Sequence, residues 1–209
     1  MTTNGHSHST KRSICVFCGS ARGKSDAYAL AAEELANEMA KRNWDLVYGG
    51  GSTGIMGVMA SSVIKAGQSV TGIIPRALTR RERDGEVPAE IYGETILVDD
   101  MHTRKRMMAE RGSAFVSLPG GLGTLEEMFE VATWNQLGIH RDPVVLFNVN
   151  GFYDHLIAFI KHAVQEGFIG ETQQHIIVEA KTAVEVCEAI ENYVPATGRL
   201  NLSWKSVTG

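Results

Sequence analysis

From residue 13 onward, short apolar runs alternate with longer stretches whose apolar positions recur every three or four residues. Runs at 13–18, 44–48, 69–74, 95–98, 114–118, 144–148 and 176–178 are strand-length and rich in Val, Ile, Leu and Phe. Between them, 26–42 places Ala31, Leu35 and Met39 at i, i+4 spacing, which predicts a helix. The same reasoning predicts helices at 53–66, 101–111, 124–137, 152–166 and 182–193. Gly67 fits the left-handed position after the second helix. Pro75 is expected to stop the third strand. In 152–166, Phe152, Leu156, Phe159 and Ala163 fall on one face.

This alternation predicts an α/β fold, with a doubly wound parallel sheet and helices on both faces. It spans one domain over 13–194. Residues 1–12 read as a polar, His-bearing tail, and 195–209 as a loose C-terminal segment without periodicity. A polar stretch over 76–93, carrying Arg76, Arg80, Arg81 and Arg83, interrupts the pattern, as functional loops often do.

Composition narrows the classes. With 209 residues, the chain suits one domain better than two. A net charge of −4 argues against a nucleic-acid-binding surface. No apolar run approaches the roughly 18 residues of a membrane span, and the polar N-terminus has no apolar signal core. A soluble, cytoplasmic protein is the expectation. Three cysteines build no disulfide framework. Cys15 and Cys18 form a C-x-x-C, but it lies in an apolar run and two further ligands for a zinc ion are lacking.

Ligands of open parallel sheets bind beyond the carboxyl ends of the strands, so the turns there matter most. The first turn carries Gly19 and Ser20. It falls one residue short of a P-loop, and a plain strand-to-helix turn explains it as well. The second, 49–57, satisfies G-x-G-x-x-G through Gly49, Gly51 and Gly54, with Thr53 between. No acid follows at the distance an NAD ribose requires, so it reads as a phosphate or ribose turn. The third holds Met101, Arg104, Lys105 and Arg106. Three cations at a helix start oppose the dipole, which suggests an anion or sugar to bind, though a solvated face has the same composition. The fourth is Pro119, Gly120, Gly121, Leu122, Gly123, Thr124, Leu125, Glu126, Glu127. Its glycines let the backbone approach a ligand, with helix amides facing it. A capping box between Thr124 and Glu127 accounts for their spacing alone.

Together the P-G-G-x-G-T-x-x-E pattern, the Met101–Lys105 segment, Cys18-Gly19-Ser20, the Tyr48–Gly57 turn and the 133–140 segment resemble the LOG (Lonely Guy) family. These are cytokinin riboside 5′-monophosphate phosphoribohydrolases, once mislabelled lysine decarboxylases. The resemblance spans roughly residues 14–169. It implies a Rossmann-like fold, a homodimer or larger assembly, and hydrolysis of a nucleoside 5′-monophosphate to free base and ribose 5-phosphate. It implies that Arg104 and Glu127 are catalytic and that Lys105, the stretch from Gly121 to Glu127, and Thr133 contact substrate. Ungapped counting places a further substrate-binding acid at Glu86, in a loop that departs from the family pattern.

On this reading Glu127 stabilises positive charge on the ribose or activates water. Arg104 orients it or engages the ribose or base. Gly19, Ser20, Gly51, Thr53, Gly54, Met101, Gly120 and the rest of the fourth turn hold the nucleotide. AMP is a second expected substrate, and no metal or organic cofactor is required. Two alternatives stand beside it. One is a nucleotide carrier without hydrolysis, which lacks a use for an acid–cation pair. The other is a lysine decarboxylase, which requires a pyridoxal Schiff-base lysine and a cofactor pocket.

Overall fold

The computed structural model describes residues 11–79, 92–200 and 202. Most of the expected N-terminal tail and the centre of the polar stretch, including Arg80, Arg81, Arg83 and Glu86, lie outside the described residues.

Seven parallel strands form one sheet: β1 (Ser13–Phe17), β2 (Asp45–Tyr48), β3 (Val70–Pro75), β4 (Glu94–Val98), β5 (Ala114–Ser117), β6 (Val144–Phe147) and β7 (Ile177–Ala180). Six α-helices join them among the described residues: α1 (Ala27–Lys41), α2 (Gly54–Lys65), α3 (Met101–Arg111), α4 (Leu122–Gln136), α5 (Asp154–Gln165) and α6 (Ala183–Glu191). The central strands are apolar on both sides, as a sheet covered by helices on both faces demands. Gly67 sits just past α2 with φ +83°, the left-handed conformation expected there. β3 does end at Pro75, although the proline is the last residue of the strand, paired with Val98 of the edge strand, rather than the first residue beyond it. The missing N–H is tolerated at a strand end.

The sheet order is β4-β3-β2-β1-β5-β6-β7. From β1 the chain winds outward to β4, then returns to place β5 against the other side of β1. That reversal opens a crevice beyond the carboxyl ends of β1 and β5, where such sheets bind ligands. On one face Ile14, Val16, Leu46, Val116 and Val145 pack under α1, α2 and α6. On the other, Cys15, Phe17, Val47, Phe115 and Val144 pack under α3 and α4, with Leu156 and Ile157 of α5 at the margin. Leu35 and Met39 of α1 are fully buried, contributing roughly 1.5–3 kcal/mol each.

Helix α5 is different. None of its residues is fully buried, and Phe159 is 62% exposed. On the apolar face that the periodicity defines, Leu156 packs against the core, but Phe159 is left uncovered by the described residues. Beyond α6, the stretch that reads as loose is held as far as Leu200. Arg199 donates from Nε to Asn135 O (2.9 Å) and from Nη2 to His140 O (2.6 Å), and Leu200 N donates to Gln136 O (2.8 Å).

Candidate active site

Two turns meet at the switch point. Gly19 N donates to Pro119 O at 3.1 Å, and a Cβ on Gly19 would stand 3.3 Å from the Cα of Gly120. The hydroxyl of buried Tyr153 donates to Leu118 O at 2.6 Å, just ahead of the proline. Asn148 accepts from Tyr153 N (2.7 Å) and donates to Asp154 and Glu179, so the tyrosine is itself anchored.

The second glycine turn serves this arrangement rather than standing open. Ile55 N and Met56 N, at the start of α2, donate to Gly19 O at 3.0 and 3.3 Å. Gly54 has φ +60°, and a Cβ there would overlap the backbone of Ser20. Amides that in isolation suit an anion are thus occupied by a backbone carbonyl.

The start of α4 is organised otherwise. Gly121 is its N-cap, with no side-chain cap. The amides of Leu122, Gly123 and Thr124 have no acceptor within the helix. They point the positive end of the dipole at the crevice. Thr124 is the third helical residue, not the cap, and its buried side chain packs on Gly120. The capping box between Thr124 and Glu127 is therefore absent, because the helix begins two residues earlier than the periodicity predicts.

Helix α3 delivers the cations. Asp100 caps it, accepting from Thr103 N and Thr103 Oγ1, both at 2.8 Å. Each basic residue then has its own partner. Arg104 is only 6% exposed; its Nη2 donates to Gly49 O at 3.0 Å and its Nη1 approaches Met101 Sδ at 3.7 Å. Lys105 reaches across to Glu126 and Glu130 of α4. Arg106 pairs with Glu110 on its own helix at 3.0 Å.

Glu127, from the second turn of α4, faces the same crevice as Arg104. Cys18 registers both groups. Burial raises its thiol, the Glu127 carboxylate raises it further, and the Arg104 guanidinium opposes them. Cys15 and Cys18 belong to opposite cores, so the C-x-x-C does not act as a pair. Among the described residues no three of His, Cys, Asp and Glu are gathered to hold a metal ion.

The crevice is lined by Gly19, Ser20, Met101, Arg104, Gly121, Gly123, Thr124, Glu126 and Glu127. It also includes Cys18, Gly49 and Met56, which sequence reasoning did not single out as ligand contacts. Gly49 belonged to the glycine pattern, but its partner, Arg104, is 55 residues away. Gly51, Thr53, Gly54, Leu122, Leu125 and Lys105 are not in that lining. Gly120 borders a neighbouring apolar pocket with Pro119, Tyr28 and Phe152. Leu125 packs against the core. Thr133 lies elsewhere, in a groove between α4 and α5 with Phe129, Gln136 and Ile160. No lysine lines the crevice among the described residues.

Fold and site define a doubly wound α/β protein whose switch-point crevice sets a helix N-terminus beside a carboxylate and a buried guanidinium. The family described as "Possible lysine decarboxylase" matches residues 56–190. Cytokinin riboside 5′-monophosphate phosphoribohydrolase LOG3 of Arabidopsis thaliana is 52% identical over 196 residues, covering 93% of this chain and 89% of the relative. LOG1 of the same plant is 53% identical over 182 residues, covering 87% and 84%. A probable enzyme of the same description from Oryza sativa subsp. japonica, LOGL2, is 52% identical over 184 residues, covering 88% and 74%. The chain belongs to this family, the LOG phosphoribohydrolases.

Solved structures match in fold. The molybdenum cofactor binding protein of Rippkaea orientalis superposes with a TM-score of 0.64 at 22% identity, covering 87% of this chain and 96% of that one. The molybdenum cofactor carrier protein of Chlamydomonas reinhardtii gives 0.63 at 19%, with the same coverage.

Proposed function

We propose that this protein hydrolyses the N-glycosidic bond of a nucleoside 5′-monophosphate, a cytokinin riboside monophosphate and also AMP, to free base and ribose 5-phosphate. The observation that carries the reading is the convergence of Arg104, Glu127 and the first turn of α4 on one crevice. The names of relatives at about half identity support it.

The 5′-phosphate is held at the α4 N-terminus by the amides of Leu122, Gly123 and Thr124, with Gly19 and Ser20 opposite. That anchor brings C1′ toward Glu127, one helical turn further on. As the C1′–N bond breaks, its electron pair leaves with the base and positive charge develops on the ribose. Glu127 stabilises that charge and takes a proton from the attacking water, whose oxygen bonds to C1′. The proton that Glu127 takes from the water is passed on to the departing base, which leaves neutral and returns Glu127 to its carboxylate form. Arg104 is permanently charged, so it is no acid; pinned on Gly49, it orients Glu127 and the sugar. Lysine decarboxylation is not supported, because a Schiff base needs a lysine in the crevice. The carrier reading gives Glu127 and Arg104 no task.

The assembly we propose is a homodimer. Its support is the groove between α4 and α5, lined by Phe129, Ala132, Ile160, Ile169 and Ile176, together with exposed Phe159. A second copy covering this face would meet Thr133 directly. Three free, buried cysteines suit a reducing cytoplasmic compartment. Steady-state kinetics on isopentenyl-AMP and AMP test the substrate. A strong preference for the prenylated nucleotide is expected for hormone production. Turnover of neither contradicts the proposal.

A further inference from the structure

Lys105 follows Arg104 on α3 and lies outside the crevice lining, its ammonium held between two carboxylates of α4, of which Glu126 lines the crevice and Glu130 does not. The ammonium donates to Glu126 Oε1 and, at 3.0 Å, to Glu130 Oε1. These acids bracket Glu127 along α4: Glu126 immediately precedes it, and Glu130 is one turn beyond Glu126. The Lys105 side chain is 11% exposed, Glu130 25% and Glu126 52%. Burial lowers the pKa of this ammonium, yet the two carboxylates outweigh burial and raise it, so it stays charged.

An exposed ion pair does little to fix geometry, because water competes and both side chains keep their freedom. Here the cation is largely withdrawn from water and tied to two points on the facing helix. Of those points, Glu130 is the less exposed to water. The tie joins the residue next to Arg104 to the helix that carries Glu127.

We infer that Glu130 is a positioning residue. Acting through Lys105, it sets α3 against α4 and so fixes how Arg104 and Glu127 face each other. Without its charge Lys105 keeps only half-exposed Glu126, and Glu127 is the next carboxylate along the helix for the ammonium to seek. This inference rests on the hydrolase reading above.

The test is a double-mutant cycle on the full chain with AMP and isopentenyl-AMP. Wild-type turnover is measured first. If it releases no base, the hydrolase reading and this inference fall together. With an active wild type, Glu130→Gln keeps the shape and removes the charge. It is expected to lower kcat about tenfold while KM stays within about twofold, a coupling of ordinary size for a networked pair. In a Lys105→Met background the same change is expected to cost under about twofold, since the path through Lys105 is already cut. Glu130→Asp, which keeps the charge, is expected to recover most of the lost kcat; if the Gln variant does not fold, Glu130→Ala takes its place, with the same loss of about tenfold expected. Unaltered kcat in Glu130→Gln overturns the role of Glu130 alone. So do losses that simply multiply in the double variant, or an Asp variant as slow as the Gln variant at equal Tm.

Discussion

Arg104 lies directly on Gly49. Its Nη2 donates to the Gly49 carbonyl at 3.0 Å, and a Cβ on that glycine would overlap the same nitrogen. A glycine in the second turn thus makes room for a guanidinium from a helix 55 residues on. Gly49→Ala is expected to push Arg104 out of register and lower kcat about a hundredfold, the usual scale for a displacement near 1 Å. Kinetics paired with circular dichroism check this. In an Arg104→Ala background the glycine substitution should add almost nothing; an equal further loss would point to a different cause.

Tyr153 supports the fourth turn from below through Leu118 O. Tyr153→Phe leaves a buried carbonyl without its donor, at a cost of about 1–2 kcal/mol. Because the bond lies one residue ahead of Pro119, KM is expected to rise several-fold with little change in kcat. Urea denaturation and Michaelis–Menten analysis separate the two effects. A stable variant with wild-type KM would show that the turn holds itself.

The elements were legible because buried parallel strands are short and apolar and the helices between them are strongly periodic. The boundary of α3, Met101–Arg111, falls where the pattern predicts it. The start of α4 was misplaced because glycines at 121 and 123 hide a helix that needs no side-chain cap. The site was legible as four turns on one sheet edge, but not the division of labour among them. That Ile55 and Met56 spend their amides on Gly19 O, or that Lys105 serves two glutamates on α4, depends on contacts between distant segments. Periodicity marked the apolar face of α5 around Phe159 but carries no information on whether this chain or another covers it.

That face yields a prediction about assembly. Phe159→Asp puts a charge at an exposed aromatic position of α5, next to Ile160 of the groove, and is expected to convert the proposed dimer into a monomer. Light scattering coupled to size-exclusion chromatography measures it. An undiminished dimer would place the interface on another face.

His140 ties the end of α4 to the loop before β6. Its Nε2 faces Val131 O at 2.7 Å, and its Nδ1 accepts from Asp142 N at 3.1 Å, which defines a neutral ring donating from Nε2. Burial lowers its pKa, outweighing the opposing pull of the Val131 carbonyl and the Asp142 carboxylate. The unfolded chain therefore binds the proton more readily than the folded one. The stabilisation is complete above the unfolded value near 6.5 and is lost as pH falls toward the lower folded one. Urea midpoints are expected to drop between pH 7.5 and 5.5 in the wild type and to drop less in His140→Gln. Parallel slopes would show that another group governs this range.

The central claim is that Glu127 breaks a glycosidic bond in a nucleotide bound at the start of α4. The most direct measurement is release of free base and ribose 5-phosphate from AMP and isopentenyl-AMP by the wild type and by Glu127→Gln. The account predicts equimolar products from the wild type. It predicts a fall in kcat of roughly a thousandfold in the variant, within the usual range for a general base, with nucleotide Kd little changed. Absence of base release by the wild type, or an undiminished rate in Glu127→Gln, would contradict it.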